Sequence, residues 1–228
     1  MDVTVQTESA APRVIQDGTF TIRLDWWPQW EGQTVALIAS GPSAKKVNVA
    51  ALEGRAKVLT INESYQLCPF ADALYACDAA WWKLRLGVKE FHGLKISQDR
   101  EACKLYPDVK RVIVDRYSNV LQLEEPGRVG AGGNSGFQAL NLAVQFGANK
   151  IILVGYDMRV DLGEHWHKRH PLPLSNPHPN DNIPRWRTSI DGAAGLLRQL
   201  GVNVYNCSSV SLLRSYPKVT IEEALKCP

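Results

Sequence analysis

Three histidines crowd into one short run, Gly163-Glu-His-Trp-His-Lys-Arg-His170, just downstream of Gly155-Tyr-Asp157. An imidazole is the side chain most easily poised near neutral pH to take a proton from a hydroxyl. His165, His167 and His170, together with Asp157, are therefore the candidate catalytic groups. In extended backbone His165 and His167 would project to the same side, so with Asp157 or Asp161 they could instead hold a metal ion. A basic loop followed by the proline-rich run Pro171–Pro179 could equally be solvated surface. The residues alone leave these three readings open.

A second stretch has the composition of a phosphate site. Gly130-Ala-Gly-Gly-Asn-Ser-Gly136 passes without a break into Phe137–Phe146, where Phe137, Leu140, Ala143 and Val144 recur at helical steps. Asn134 or Ser135 can cap that helix, and the glycines let backbone approach a ligand closely. A helix start presents unpaired N–H groups and the positive end of a dipole, which suits phosphate. Arg185 and Arg187, with Lys168 and Arg169, add positive charge that favours an anionic ligand.

The elements that must hold these groups follow from runs of apolar residues. Thr34–Ala39, Lys57–Ile61, Ala73–Cys77 and Lys150–Val154 are short, nearly continuous apolar runs, which is the pattern of central parallel strands. Their exits are small or polar: Ser40-Gly41-Pro42-Ser43, Asn62, Asp78, and Gly155-Tyr156-Asp157. For each exit singly, a turn or helix cap is the commoner explanation. Taken together they suggest a crevice at the carboxyl ends of several strands, where open α/β sheets bind ligands.

Helices are expected over Ala79–Leu86, Trp186–Leu200 and Val219–Leu225, and a last strand over Val202–Asn206. Leu94–Ile96 and Val109–Val114 read as further strands whose order the sequence does not give, and 117–129 reads as an irregular loop or small subdomain. The polar segment 158–187 is long for a compact domain, as a lid or substrate loop would be. Residues 1–33 are expected to be an arm or edge addition, with Thr19–Leu24 as an edge strand, and 34–228 a single domain. Trp26, Trp27 and Trp30 could stack on a base, but packing over one end of the sheet, or at a subunit contact, is the commoner use.

Composition narrows the class. Hydrophobic content of 45% and charged content of 21% are those of a globular protein, and a net charge of +3 is too small to argue for nucleic acid. No basic stripe interleaved with aromatics suggests nucleic-acid readout. No apolar run approaches membrane-spanning length and no signal peptide is evident, so a cytoplasmic location is expected. Five cysteines, widely spaced and without a CxxC pair, read as buried free thiols.

Ser40-Gly-Pro-Ser43 after a first strand, an asparagine ending the second, Asn134-Ser-Gly136 opening a helix, and Ile152-Leu-Val-Gly-Tyr-Asp157 recur in an order that resembles the bacterial sialyltransferases of the Campylobacter lipooligosaccharide type. The Gly132-Gly-Asn and Gly155-Tyr-Asp157 motifs are also similar to those of archaeal 6-hydroxymethylpterin pyrophosphokinases, and phage and prophage proteins of unassigned activity look similar too. The resemblance spans about residues 34–215. It implies an α/β, Rossmann-like fold with a mostly parallel sheet flanked by helices, and a metal-independent site for a cytidine nucleotide sugar. Carried over by motif, Ser40, Gly41, Pro42, Ser43, Asn62, Asp78, Asn134, Ser135, Gly136, Gly155 and Tyr156 would surround the nucleotide. Where those sialyltransferases carry tyrosines and a base histidine before the last large helix, this chain has Asn180–Arg187. Arg185 and Arg187 stand there instead, and the nearest histidines are His165, His167 and His170.

The leading expectation is a transferase with a nucleotide or nucleotide-sugar donor, probed as a small-molecule ligand. A second is a pyrophosphokinase-like enzyme using ATP and magnesium near Asp78 and Asp157. A third is a non-catalytic nucleotide-binding or phage-derived interaction protein, and a homo-oligomer is compatible with each.

Overall fold

The computed structural model describes residues 14–18, 20–168, 174 and 182–228. In chain order these form β1 (Val14–Asp17), β2 (Phe20–Arg23), β3 (Thr34–Ile38), β4 (Lys57–Ile61), β5 (Ala73–Tyr75), α1 (Ala79–Leu84), β6 (Leu94–Ser97), α2 (Arg100–Leu105), β7 (Val109–Arg111) and β8 (Ile113–Asp115). There follow β9 (Arg128–Gly130), α3 (Ser135–Gln145), β10 (Lys150–Val154), α4 (Asn182–Gly192), α5 (Ala194–Gln199), β11 (Asn203–Asn206) and α6 (Ile221–Lys226).

Seven strands make one sheet in the order β11-β10-β3-β4-β5-β6-β7, every pair parallel. The chain lays down β3 to β7 in one direction, then returns to place β10 and β11 on the other side of β3. The strand order therefore reverses between β3 and β10. β3 and β10 are almost wholly buried, as strands covered on both faces must be. Alternate residues serve opposite faces: Val35, Leu37, Ile151 and Leu153 pack with α3, α4 and α5. Ala36, Ile38, Ile152 and Val154 pack with the tryptophans of α1 and with α6. This is the expected α/β architecture.

Several elements differ from the sequence expectation. The expected strand Val109–Val114 is two: β7 extends the main sheet, and after buried Val112 the chain changes partner, β8 pairing with β9 in a separate ribbon. β2 is not an edge strand of the main sheet; it pairs antiparallel with β1 as a hairpin whose Ile15 and Ile22 join the core. The expected helix over Trp186–Leu200 starts earlier, at Asn182, with Pro184 in its first turn where a missing N–H costs nothing. It breaks at Ala193, whose N–H bonds the carbonyl of Ile190, a tighter turn than the α-helical one. Of the expected lid 158–187, residues 158–168 and 174 are described outside regular helix or strand and 182–187 belong to α4, while His170 and almost all of the proline run lie outside the described residues.

The loop 117–129 is irregular but tied to α3. Asn141, fully buried, accepts from the N–H groups of Gln122 (2.8 Å) and Gly130 (3.0 Å) and donates to the Gln122 carbonyl (2.8 Å). Gln145 donates to the carbonyls of Gln122 and Arg128, both at 2.7 Å. Asn141 and Gln145, two of the polar side chains of α3, thus satisfy loop backbone that could not otherwise be buried.

The tryptophans pack. Trp27 and Trp30 meet the Phe146 ring edge-on, at centroid distances of 4.7 and 4.9 Å, and the Trp30 N–H bonds the Phe146 carbonyl at 2.7 Å. This cluster precedes β3 and follows α3, so it closes the amino end of the sheet, away from the strand exits. Phe146→Ala empties the centre of that cluster and should cost about 3–5 kcal/mol. Urea denaturation measures it, and an unchanged midpoint would contradict a core role.

Candidate functional site

The exits of β3 and β10 lock together. The Gly41 N–H donates to the Gly155 carbonyl at 2.9 Å, directly continuing the ladder from Ala39 and Val154. Both Asp157 carboxylate oxygens are then taken by Ser43, one by its backbone N–H at 2.9 Å and the other by its hydroxyl. Asp157 is only 2% exposed, so this pairing is what lets a charge sit there. A side chain on Gly41 would place Cβ 2.7 Å from the Asp157 Cγ and closer still to the Gly155 carbonyl oxygen. The glycine is thus required by the approach of the chain's own second strand exit, whereas the sequence suggested the approach of a ligand. Gly155 has φ 72°, a conformation few other residues adopt. The next residue, Tyr156, is buried and donates its hydroxyl to the Gly136 carbonyl at 3.0 Å, which joins this exit to the start of α3.

On the other side of β3, Asn62 ends β4 with φ 51°, left-handed backbone at a non-glycine residue. Such strain concentrates at functional sites and persists only where the surroundings enforce it. The enforcing contact is the next residue. Glu63 is 1% exposed, and its Oε1 accepts from Arg85 Nε and Nη2 (2.9 and 2.8 Å) and from Trp81 Nε1 (3.1 Å). A buried carboxylate held by α1 and the turn after it fixes the loop that presents Asn62.

Past β5, Cys77 faces the start of α3. The Cys77 Sγ lies 3.1 Å from Ser135 Oγ and donates to Gln138 Oε1 at 2.8 Å. Burial pushes the thiol up to about 11. The Asp78 carbonyl accepts from the N–H groups of Trp81 and Trp82, but its carboxylate does not cap α1. Asn134 does cap α3: its Oδ1 accepts from Phe137 N at 2.9 Å and its Nδ2 donates to the Gly132 carbonyl at 3.1 Å. That amide is therefore engaged within its own loop, and Ser135 and Gly136 are the residues at the open helix start. The glycines before it again make room for the chain itself. A Cβ on Gly132 would fall on the Phe137 ring, and one on Gly133 would lie 2.9 Å from both Arg185 Nη2 and Trp186 Cδ1.

The histidine segment folds over the β3 exit. His165 and His167 stack at 5.0 Å with an interplanar angle of 12°, so their rings do lie side by side. The anchor is Trp166, which composition and spacing do not single out. Its N–H donates to the Ser40 carbonyl at 2.9 Å and its Nε1 to Ser64 Oγ at 3.2 Å, while Lys45 stands 5.9 Å over its ring. His165 and Glu164 line a cavity of about 60 Å³ together with Gly41, Gly155, Asp157 and Trp186. Two polar atoms at this place, Ser40 Oγ and Trp186 Nε1, are buried with no hydrogen-bond partner among the described residues. Arg185 lies over Gly133, but Arg187, two residues on along α4, points about 200° around the helix, so the two arginines do not share a face. Arg159 pairs with Asp161, and among the described residues no three His, Cys, Asp or Glu side chains lie close enough to share a metal ion.

Among solved structures the chain is similar to the sialyltransferase CstII from Campylobacter jejuni in complex with the substrate analogue CMP. The identity is 13%, the TM-score 0.53, and 83% of this chain and 86% of that one are covered. CstII with CMP-3FNeuAc gives 12% identity, a TM-score of 0.51 and coverage of 82% and 86%. CstII with a trisaccharide acceptor and CMP gives 12%, 0.50, 82% and 86%. At such identities the likeness establishes a shared α/β fold. No protein-family profile matches the chain, and no curated protein matches it in sequence.

Ser43→Ala removes one donor from a buried carboxylate and should destabilise the chain by roughly 1.5–3 kcal/mol, read from the denaturation midpoint. A loss within error would mean that the Asp157 pairing is incidental. Burial also raises Cys68 and Cys207 to about 12 and Cys103 to about 11. A thiol with a value near 11 is only about one part in a thousand thiolate at pH 8. Native Cys68, Cys77, Cys103 and Cys207 should therefore resist iodoacetamide at that pH and react once unfolded. Rapid native labelling at Cys77 would contradict its burial.

Proposed function

We propose that the chain is a nucleotide-dependent transferase of the glycosyltransferase type, taking a nucleotide-sugar donor at the junction of β3 and β10. The observation that carries this reading is the reversal of strand order at that junction. Helical connections leave a reversed sheet on opposite faces, which opens a crevice at the carboxyl ends of the two strands. Gly41, Asp157, Asn62 and Ser135 all stand at that edge. The unpartnered Ser40 hydroxyl and Trp186 indole N–H are polar groups suited to a bound ligand, since buried donors are seldom left unmade. The fold shared with CstII, solved with CMP and CMP-3FNeuAc, supports a cytidine nucleotide as the first ligand to test.

In this reading the open N–H groups of Ser135 and Gly136 and the Arg185 guanidinium stabilise the charge that gathers on the departing phosphate. His165, which faces the same cavity as Gly41, accepts the proton of the acceptor hydroxyl, and His167 stacks behind it. Asp157 serves as a brace for the β3 exit, because both its oxygens are already engaged. That engagement is why the transferase reading is preferred to ATP and magnesium at Asp157. A cavity of 60 Å³ is far below the roughly 300 Å³ or more of a ligand pocket, so His165 and Trp186 must move apart to admit a nucleotide.

Thermal unfolding with CMP, UDP and magnesium-ATP tests the proposal. CMP at about a hundred times its Kd should stabilise by about 2.7 kcal/mol, a Tm increase of roughly 5–10 °C for a chain this size. Asn62→Gly relieves the left-handed strain while deleting the amide, so it should keep the unliganded Tm and lose most of the CMP shift. His165→Gln should keep the shift and lose turnover, and His167→Ala should likewise spare affinity. No shift with any nucleotide sinks the reading, and a shift with magnesium-ATP alone replaces it by the phosphoryl-transfer alternative.

A further inference from the structure

We propose that the hollow at the carboxyl ends of β6 and β7 binds a ligand carrying a carboxylate, and that Asp17 is its built-in occupant. The hollow has a volume of about 420 Å³ and is lined by Asp17, Asp99, Arg100, Arg111 and Arg116, with Gln98. It lies on the same edge of the sheet as the β3–β10 junction but toward the opposite end, beyond β5. Ser97 Oγ, which donates to the Cys77 carbonyl at 3.2 Å, stands between the two places.

Two guanidiniums converge there on a single oxygen. Arg100 donates to Asp17 Oδ2 through Nε at 3.1 Å and Nη2 at 2.7 Å, and Arg111 Nη2 donates to the same atom. The Arg111 side chain is only 17% exposed, and its Nε is buried with no hydrogen-bond partner. A guanidinium presents Nε and Nη as parallel donors spaced for the two oxygens of one carboxylate. Asp17 reaches Nη but leaves Nε unmade, and a buried unmade donor is costly. A carboxylate seated deeper than Asp17, across Nε and Nη2 of Arg111, satisfies both.

The other acids of the hollow do not compete for that place. Asp99 Oδ1 caps α2, accepting from Glu101 N at 2.8 Å and Ala102 N at 3.2 Å. Glu101 is paired with Lys83 at 2.6 Å. Asp17 is therefore the acid set against Arg100 and Arg111, with Arg116 exposed on the rim. It arrives on the turn of the β1–β2 hairpin, where Gly18 has φ 61°. The strands behind it are anchored, by Ile15 and Ile22 in the core and by Arg128, which donates to the Gln16 carbonyl at 3.0 Å. Asp17 is the last residue of β1, so the end of that strand has to yield for the carboxylates to exchange. The volume suits an organic acid or an acidic monosaccharide.

Titration calorimetry on the full chain, with D-glucuronate as the probe and glucose and inorganic phosphate as controls, tests this independently of any nucleotide. Asp17→Asn keeps the shape of the occupant and removes its charge. It should bind glucuronate at least tenfold more tightly than the native chain and glucose not at all. Adding Arg111→Lys, which keeps the charge but deletes the Nε donor, should abolish the gain. No gain in Asp17→Asn overturns the occupant role, and phosphate bound as tightly as glucuronate overturns the carboxylate class. The Asp17–Arg100 pair is partly exposed, where pairs contribute little to stability, and the amide oxygen of Asp17→Asn still accepts from the more buried Arg111, so the variant should fold. If it does not, Asp17→Ser carries the same two outcomes.

Discussion

The carboxylate of Asp157 is the constraint on which the rest of the site depends. It sits buried at the mouth of β10 and is tolerable there only because Ser43, across the junction, offers it a backbone N–H and a hydroxyl. That pairing draws the β3 exit against the β10 exit so closely that Gly41 can carry no side chain. The closeness in turn sets the position of everything attached. Ser40 receives Trp166, Trp166 carries the two stacked histidines, and Tyr156 ties the same exit to the helix start at Gly136. A charge that would be a liability alone has become the peg for three segments remote in sequence.

The arrangement separates two kinds of work. At the amino end of the sheet, aromatic packing around Phe146 covers the starts of β3 and β10. The carboxyl end collects strained and buried polar groups: Asn62 in left-handed backbone, Glu63 under Arg85 and Trp81, Cys77 against Ser135. Each of these features is unfavourable without its neighbours, so each depends on the surrounding structure to persist. Their concentration along one edge is what distinguishes the site from a set of ordinary loop caps.

Much of this was legible from residues alone. The continuous apolar strands and their polar exits were clear because buried parallel strands need no alternation to be recognised. Partner exchange was not. Val109–Val114 looks like one strand because β6 and β9 both accept apolar neighbours, and nothing local marks Val112 as the point where one partner gives way to the other. The glycines were legible as places of close approach, but a sequence does not say what approaches. At Gly41, Gly132 and Gly133 the neighbour is the chain itself. Trp166 went unnoticed because a tryptophan beside histidines has no signature of its own. Its importance lies in the Ser40 carbonyl and the Ser64 hydroxyl, which only folding brings near.

The parallel pairing of β3 with β10 joins Thr34 to Lys150, half the chain apart. As the chain emerges during synthesis, β3 can pair with β4 at once, but its other edge stays open until β10 has been made. For that interval a strand of Val35, Ala36, Leu37 and Ile38 offers unpaired N–H and C=O groups to any passing β-strand, which is the geometry from which aggregation begins. The seam that carries the site is therefore one that closes late: β3 keeps an open edge until Lys150–Val154 has been made.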